Sequence, residues 1–353
     1  MTTKKFVAPD DMDRKAEVDA FYEEVAAADL QPLWTQKGLM LDEPPIRDVP
    51  FVWKWERIKA LAQRSGELIP IDRGGDRRVL SLTNPGLDGL PYASSTLWGA
   101  IQYLGPQEVA PAHRHSPAAL RFVMEGSGVW TLVNGDPVAM HPGDLVLTPS
   151  WTWHEHHNPF EQPMMWFDAL DLPLVRSLDA LYYEDGPDFM TNRAVDEVSG
   201  SELRYGGGAG LVPLDADEQA PAYSPLLAYR WAETDRALTS MMKVANDGHA
   251  ALRFADPTTG RDVMPTMRCA MHRLGKGGHM PLRQSTGSSL WVTFQGSAIV
   301  TIAGEEYQLA QGDCFVVPSW APFGLSSVDG ADFFAVSDTP VLEALGLARV
   351  RKL

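Results

Sequence analysis

The spacing of apolar and polar positions changes along the chain, and the change separates a helical start from a β-rich remainder. The first apolar residues recur at steps of three and four, as one face of an amphipathic helix does: Val18, Phe21, Tyr22 and Val25. A second helix is predicted over 53–64, with Gly66 as its C-terminal stop. We therefore predict an N-terminal helical region over residues 1–77.

From residue 78 onward the pattern is that of short strands. Runs such as 79–82, 96–98 and 129–133 are separated by Asn-Pro-Gly, Asn-Gly and Pro-Gly turns. Many short strands at close spacing predict an all-β sandwich or barrel. The stretch 186–262 contains a Gly-Gly-Gly run and one helix-like patch, and we interpret it as an inter-domain connection. Short strands return after Pro265.

An internal repeat is the most informative pattern in this sequence. Residues 120–151 and 290–320 both run strand, Gly-Ser, strand, Gly turn, strand, Gly-Asp, strand, Pro-Ser-Trp. The two copies differ in length by one residue, and their alignment places this difference in the turn around Asn134-Gly135. The repeat predicts two similar β domains, which we place at 78–185 and 263–353 on either side of the connection.

Composition and charge exclude several classes of protein. Lys and Arg total 30 and Asp and Glu total 46, so the net charge is -16 and phosphate-rich partners are disfavoured. We therefore expect neither nucleic acid nor a membrane as a partner. The N-terminal residues lack the apolar core of a signal peptide, and two cysteines cannot form a disulfide framework, so we expect a cytoplasmic protein.

The first copy of the repeat carries a dense histidine cluster. His113 and His115 form an H-x-H pair, and alternate side chains of a strand share a face. His154 and His156 form a second such pair downstream. Three imidazoles on one side of an open site suit a divalent transition metal. We predict His113, His115 and His154 as the ligands; surface histidines at strand ends are the alternative.

The second copy serves as an internal control for this metal site. Aligned by its glycines and its Pro-Ser-Trp, it has Arg283, Ser285 and Phe323 where the first copy has the three histidines. The framework of the repeat is kept while every predicted ligand is lost. The histidines therefore serve a site that one copy alone has.

The segment 105–158 resembles the cupin superfamily. Gly143, Pro149, Trp151, His154 and Asn158 fit the second cupin motif, whereas the first motif keeps its H-x-H but lacks the usual Glu. The combination APAHRHSPAALRF, PGDLVLTPSWTWHEH and a degenerate second cupin is similar to the gentisate 1,2-dioxygenase family. The resemblance implies a mainly β bicupin fold, two tandem cupin β-barrels with N-terminal helices, and an Fe(II) site without a carboxylate ligand.

The resemblance also implies an activity and an assembly. Members of the family open gentisate between C1 and C2 with O2, giving maleylpyruvate, and they are homotetramers. A chelating aromatic hydroxy acid supplies the negative charge that three neutral histidines leave unmatched on Fe(II). Salicylate and 1-hydroxy-2-naphthoate are the alternative substrates. A non-catalytic bicupin binding or storage protein is the alternative from another class.

Five further residues are predicted to contact the substrate. Arg121 follows His115 by an even number of residues in an apolar run, and its planar guanidinium can hold a carboxylate bidentately, as the family implies. Trp98, Ala100 and Gln102 alternate along one strand and could form a flat slot with a polar end. Ordinary barrel filling is the alternative for Trp98. The family pattern favours Arg77 over Arg78 as an additional contact.

Two residues are predicted to take part in catalysis. His156 shares a face with His154, and it is predicted to act as a hydrogen-bond or proton-transfer partner of the substrate oxygens rather than as a fourth ligand. Asp168 is an acid inside an apolar run. It is predicted either to accept a hydrogen bond from the ring 5-hydroxyl or to orient a histidine; a surface carboxylate is the alternative.

Overall fold

A computed structural model describes residues 12–71, 78–187, 198–208, 210–216 and 221–353. The chain forms two compact units that divide after Pro45. The first contains helix α1, Met12–Ala27, and a short 3-10 turn, Leu33–Thr35. Within it the indole Nε1 of Trp34 donates a hydrogen bond to the Tyr22 hydroxyl at 3.0 Å. No helix in the described residues combines the length and apolar character needed to cross a membrane.

The second unit opens with strand β1, Phe51–Trp53, and helix α2, Trp55–Leu68. The helix thus begins later than predicted, because Trp53 pairs with Cys314 in a sheet. It also continues through Gly66, so the prediction of a stop there was wrong. A Cβ on Gly66 would lie 2.5 Å from the Tyr103 ring, which shows that the glycine serves this close contact within the helix.

Two antiparallel sheets form the first cupin barrel. The six-stranded sheet has the order β12-β8-β5-β10-β3-β2 and the five-stranded sheet the order β11-β4-β9-β6-β7. Their strands are β2 Val79–Ser81, β3 Trp98–Leu104, β4 Val109–His115, β5 Ala119–Glu125, β6 Trp130–Val133, β7 Asp136–Ala139, β8 Leu145–Thr148, β9 His154–His157, β10 Met164–Leu170, β11 Tyr183–Asp185 and β12 Ala228–Tyr229. Helix α3, Leu172–Ser177, lies between β10 and β11; α4, Gly200–Tyr205, and α5, Trp231–Met242, flank β12.

The second barrel repeats this arrangement, as the internal repeat predicts. Its sheets have the orders β1-β19-β16-β21-β14-β13 and β18-β17-β20-β15-β22. The strands are β13 His249–Arg253, β14 Arg268–Leu274, β15 His279–Ser285, β16 Ser289–Gly296, β17 Ala298–Ile302, β18 Glu305–Leu309, β19 Cys314–Val317, β20 Phe323–Ser326, β21 Ala331–Ser337 and β22 Val350–Lys352, with α6, Thr339–Ala344, before β22. The fold is the predicted mainly β bicupin.

The repeat differs from its predicted alignment at one place. The hairpins β6–β7 and β17–β18 both have two-residue turns, Asn134-Gly135 and Ala303-Gly304, in which every residue has positive φ. The turns are therefore equal in length. The additional residue of the first copy lies before β6, at Gly128, whose φ is +93°.

The largest hydrophobic core lies between the two barrels. Leu120, Phe122 and Phe167 on the outer face of the first barrel belong to one buried cluster with Val292 and Phe334 of the second. Phe122 and Phe334 stack with ring centroids 4.3 Å apart. Strand alternation then directs the neighbours of these residues, including Arg121, to the opposite face of the same sheet.

Candidate active site

The three histidines predicted as ligands converge at one end of the first barrel. His113 and His115 lie on β4, and His154 lies on the adjacent strand β9, directly opposite His113. One potential ligand nitrogen from each ring falls within 4.8 Å of the other two. No other such group of three metal-binding side chains occurs in the described part of the chain.

Each of the three rings is oriented by a backbone carbonyl. The Nδ1 atoms lie 2.7–2.9 Å from carbonyl oxygens of Pro111, Pro117 and Thr152, respectively. A carbonyl only accepts, so each Nδ1 carries the proton and each Nε2 keeps its lone pair for a metal. The buried Nε2 of His154 has no hydrogen-bond partner among the described residues. This donor set fits a divalent transition metal.

The electrostatic setting keeps His154 neutral, the form that binds a metal. Burial, first, and the neighbouring His113, Arg121 and His115 lower the pKa of His154 well below its usual value.

At the matching register of the second barrel, Arg283 pairs with Phe323, and Ser285 takes the place of His115. The structure therefore supports the sequence alignment of the two copies at this site.

Arg121 lies on β5, facing the barrel interior, and is 4% exposed. Its Nη1 donates to the Thr148 hydroxyl at 2.7 Å, and its Nε lies 3.5 Å from Oδ1 of Asp168. Burial lowers the pKa of Arg121, and Asp168 opposes that shift. A guanidinium fixed on two sides and close to the histidines is positioned to bind an anion beside the metal site.

Asp168 lies opposite Arg121 on the neighbouring strand β10. Its Oδ1 accepts a hydrogen bond from the Trp166 indole at 3.1 Å. Burial raises the pKa of Asp168 to about 6, although Arg121 and Trp166 act to lower it. The carboxyl is thus buried, as predicted, and its nearest cation is Arg121.

His156 is buried beside His154, as the two-residue spacing predicts. Its Nδ1 lies 2.7 Å from the Thr131 hydroxyl, and its ring centroid is 6.1 Å from that of His154 and 5.4 Å from that of Trp166. Burial and the positive Arg121 lower its pKa well below the usual value. His157 points elsewhere and stacks on Trp130 with centroids 4.0 Å apart.

Strand β3 brings its predicted contact residues to the interior face. Ala100 pairs with Asp168 and Gln102 with Trp166 across the β3–β10 register. Both Ala100 and Gln102 are buried, whereas Trp98 is half-buried and donates from Nε1 to the Ser81 hydroxyl at 3.1 Å. The three residues therefore share the face that also carries Asp168.

Arg77 lies outside the described residues, whereas its neighbour Arg78 is described. Arg78 is buried; its Nη1 donates to the Ile69 carbonyl at 3.0 Å and its Nη2 forms an ion pair with Glu108. The guanidinium also lies 5.4 Å from the centre of the Tyr103 ring. Because Tyr103 alternates with Gln102 along β3, Arg78 is held on the face away from the histidines.

Sequence reasoning missed the strand that borders the histidines, β11. Tyr183 stacks against His113 with ring centroids 5.7 Å apart, and its hydroxyl donates to Asp185 at 2.8 Å. Glu184 forms an ion pair with Arg114 at 2.6 Å. The second barrel has an equivalent strand, β22, which pairs with β15 just as β11 pairs with β4.

Comparisons with known proteins agree with this geometry. A family model described as a cupin domain matches residues 100–170. The chain is 50% identical over 344 residues to gentisate 1,2-dioxygenase of Streptomyces sp, with 95% of each chain covered. It is 34% identical over 336 residues to gentisate 1,2 dioxygenase 1 of Aquipseudomonas alcaligenes, covering 93% of this chain and 94% of that one.

A solved structure gives the same relationship in three dimensions. Salicylate 1,2-dioxygenase from Pseudoaminobacter salicylatoxidans, in a structure of its adducts with gentisate, superposes with a TM-score of 0.92 at 46% identity, covering 99% of this chain and 97% of that one. Two tandem barrels with a three-histidine group in the first define a bicupin protein of the dioxygenase type. The chain belongs to the gentisate 1,2-dioxygenase family.

Proposed function

We propose that this protein is an Fe(II)-dependent dioxygenase that cleaves gentisate between C1 and C2 and adds both atoms of O2, giving maleylpyruvate. The observation that carries the proposal is the pairing of three Nδ1-protonated histidines with a buried arginine on the facing sheet. The Streptomyces relative and the gentisate adducts of the salicylate dioxygenase support the choice of substrate.

His113, His115 and His154 would hold the iron. Their carbonyl partners fix the tautomer in which every Nε2 is a donor of a lone pair. When bound, Fe(II) supplies the redox chemistry that combines O2 with the aromatic ring. A site of three neutral ligands leaves the metal charge to be balanced by the substrate, which suits a carboxylate with an ortho hydroxyl.

Arg121 would bind the substrate carboxylate and thereby orient the ring. Thr148 and Asp168 restrain the guanidinium, so little side-chain freedom is lost when the carboxylate binds. The planar fork matches the two carboxylate oxygens. Arg77 remains a proposed second contact, which the commitment of Arg78 to Glu108 supports.

His156 and Asp168 would serve the hydroxyl groups of the ring. His156 is held by Thr131 beside the metal ligands, where it can hydrogen-bond to a substrate oxygen or exchange a proton with it. Asp168 remains the proposed partner of the 5-hydroxyl. That second hydroxyl donates electron density to the ring and makes attack by O2 easier than in salicylate.

The shape of the slot favours a single ring. Ala100 lies between Trp98 and Gln102 on the interior face of β3, so a methyl group occupies space that a glycine would leave open. This favours gentisate or salicylate over the two-ring 1-hydroxy-2-naphthoate, the substrate named for a 30% identical relative from Nocardioides.

We also propose a cytoplasmic homotetramer. The segment after α1 presents large apolar side chains to solvent: Leu33, Trp34, Leu39, Met40 and Leu41. An exposed apolar patch of this kind is a candidate subunit contact. Light scattering after size exclusion tests the assembly, and a species of four chains is the expected result.

One experiment tests the activity. The purified protein is loaded with Fe(II) under anaerobic conditions, and O2 uptake is then followed with gentisate, salicylate and 1-hydroxy-2-naphthoate, together with the ultraviolet absorbance of the ring-opened product. We expect one O2 consumed per gentisate. Loading with Zn(II) is the control, because that metal can occupy the site without redox chemistry. No uptake with any of the three acids would refute the proposal.

A further inference from the structure

The second barrel contains a pocket where the first has its metal site. The cavity has a volume of about 410 Å³, which falls within the size range of small-molecule sites. Its walls include residues of β14, β15, β16 and β21, the counterparts of β3, β4, β5 and β10 in the first barrel, together with residues of β13, α6 and β22. The cavity is therefore open in the second barrel, although the histidines are absent there.

The floor of this pocket has changed from polar to aromatic. Trp291 pairs with Ala335 across the β16–β21 register, just as Arg121 pairs with Asp168 in the first barrel. Ala335 also pairs with Ala270 on β14. All three residues line the cavity. A large ring beside two methyl groups makes a flat slot suited to a planar apolar group.

A cation has replaced the first metal ligand. Arg283 occupies the register position of His113, lines the cavity and forms no ion pair or side-chain hydrogen bond within the described part of the chain. The residue is exposed to solvent; the partial burial of its guanidinium lowers its pKa, and no carboxylate opposes the shift. By contrast, Arg268 at the same pocket is neutralised by Asp262 at 2.8 Å and Glu343 at 2.7 Å.

Further positive or neutral groups surround Arg283. His249 and His272 stack with Nε2 and Nδ1 3.1 Å apart; burial lowers the pKa of both, and Arg283 lowers it further. At the rim, the guanidinium of Arg349 donates only to the backbone carbonyls of Gly346 and Ala348 among the described residues. The positive charge of Arg283 is therefore accessible to a ligand, and an anion bound in the cavity would pair with it.

We propose that the second barrel binds a small aromatic carboxylate in this pocket. Arg283 takes the carboxylate through its bidentate fork, and the ring lies on Trp291 between Ala270 and Ala335. The pocket thus binds by charge and stacking a ligand of the kind that the first barrel would bind through a metal. The proposal stands apart from the proposed activity, because it uses none of the residues of the first barrel.

Calorimetric titration with benzoate tests this inference on the iron-loaded full chain. Benzoate has the ring and the carboxylate but no ortho hydroxyl to chelate the metal. Arg121→Gln weakens any binding in the first barrel and leaves the second site to be measured. In that background, we expect Arg283→Gln to weaken benzoate at least tenfold, and Lys276→Gln, an exposed charge outside the pocket, to leave it unchanged. Acetate should bind at least tenfold more weakly than benzoate.

Iron content and gentisate turnover of the single Arg283→Gln variant report whether the fold is intact; both should stay at wild-type values. Should that variant not fold, Ser337→Leu, which fills the cavity without removing a charge, decides in its place and should likewise abolish the second site. Benzoate binding that is the same with and without Arg283, or confined to the first barrel, would overturn the inference. Equal affinity for acetate would overturn the aromatic part of it.

Discussion

Replacing Arg121 separates two roles of one side chain, the ion pair with Asp168 that the structure shows and the proposed binding of the substrate carboxylate. The guanidinium is buried, donates to Thr148 at 2.7 Å and lies 3.5 Å from Asp168. In the proposed complex it also binds the substrate carboxylate. Arg121→Ala removes both the bidentate hydrogen-bonding group and the positive charge. Arg121→Lys removes the bidentate group but keeps a positive charge.

The two variants should lose substrate affinity to a similar extent. Truncating one partner of a buried, hydrogen-bonded charge pair costs about 3 kcal/mol or more, which corresponds to at least a hundredfold in affinity. A lysine ammonium cannot reproduce the bidentate geometry, so Arg121→Lys should recover little of this loss. Iron retention should be unchanged, because Arg121 is not among the proposed ligands.

Stability should distinguish the two variants. Arg121 acts to lower the pKa of Asp168, so its removal leaves a buried carboxyl without a counter-charge. Breaking such a pair costs ~3–5 kcal/mol, less whatever is recovered when the carboxyl takes up a proton. We expect Arg121→Ala to lose about 3 kcal/mol of unfolding free energy at pH 8 and Arg121→Lys less than half of that.

The assay combines anaerobic calorimetric titration of the iron-loaded protein with gentisate and denaturant unfolding of each variant. Arg176→Ala and Arg176→Lys are matched controls, since Arg176 is exposed on α3 and its guanidinium donates at 3.2 Å to the hydroxyl of Tyr92, a residue with no proposed part in the site. Substrate affinity of Arg121→Lys within tenfold of wild type would refute a bidentate clamp. Wild-type affinity in Arg121→Ala would remove Arg121 from the site altogether.

His154→Ala should abolish iron retention while the protein stays folded, and full iron occupancy, measured by metal analysis, would contradict the ligand assignment. Gentisate should be turned over with kcat/KM at least tenfold above salicylate, ~1.4 kcal/mol in transition-state stabilisation, and Asp168→Ala should reduce that ratio; equal turnover would refute the substrate choice. The pKa of Asp168 is raised to about 6, so kcat/KM should fall as the pH drops through that value, and Asp168→Asn should lack this limb. Because the pKa of Asp168 is raised in the folded state, its ionised form destabilises the fold and its protonated form does not. When the pH is lowered from 7 to 5, the unfolding free energy of wild type should therefore rise by on the order of 1 kcal/mol relative to that of Asp168→Asn, measured by denaturant unfolding. Gly66→Ala should lower the unfolding free energy by about 1 kcal/mol, because a Cβ 2.5 Å from the Tyr103 ring outweighs the better helix propensity, and a more stable variant would contradict this.

The three-histidine group and the barrel fold could be predicted from the sequence because both follow from strand alternation and from the internal repeat. Strand alternation places His113 and His115 on one face, and the repeat supplies the register that brings His154 opposite His113. The same alternation placed Ala100 and Gln102 correctly on the interior face of β3.

Features that depend on contacts distant in sequence could not be predicted in this way. In the sequence Gly66 resembles the end of a helix, and only the structure shows that it makes room for the Tyr103 ring. Strand β1 belongs to the sheet of the second barrel, where it pairs with β19, some 260 residues further along. Tyr183 reaches His113 only because β11 adds to the edge of β4. No local pattern records any of these pairings.

The two faces of β5 separate residues that can be varied in an engineered enzyme from residues that tie the two barrels together. Arg121, the proposed substrate contact, faces the interior of the first barrel, whereas Leu120 and Phe122 on either side of it pack in the cluster shared with the second barrel. A library that varies Trp98, Ala100, Gln102 and Asp168 leaves that seam untouched and can explore new aromatic acids. A truncation that discards the second barrel would expose Phe122 and its neighbours to water. Although the second barrel lacks the three histidines, any chimera has to include it together with the first barrel.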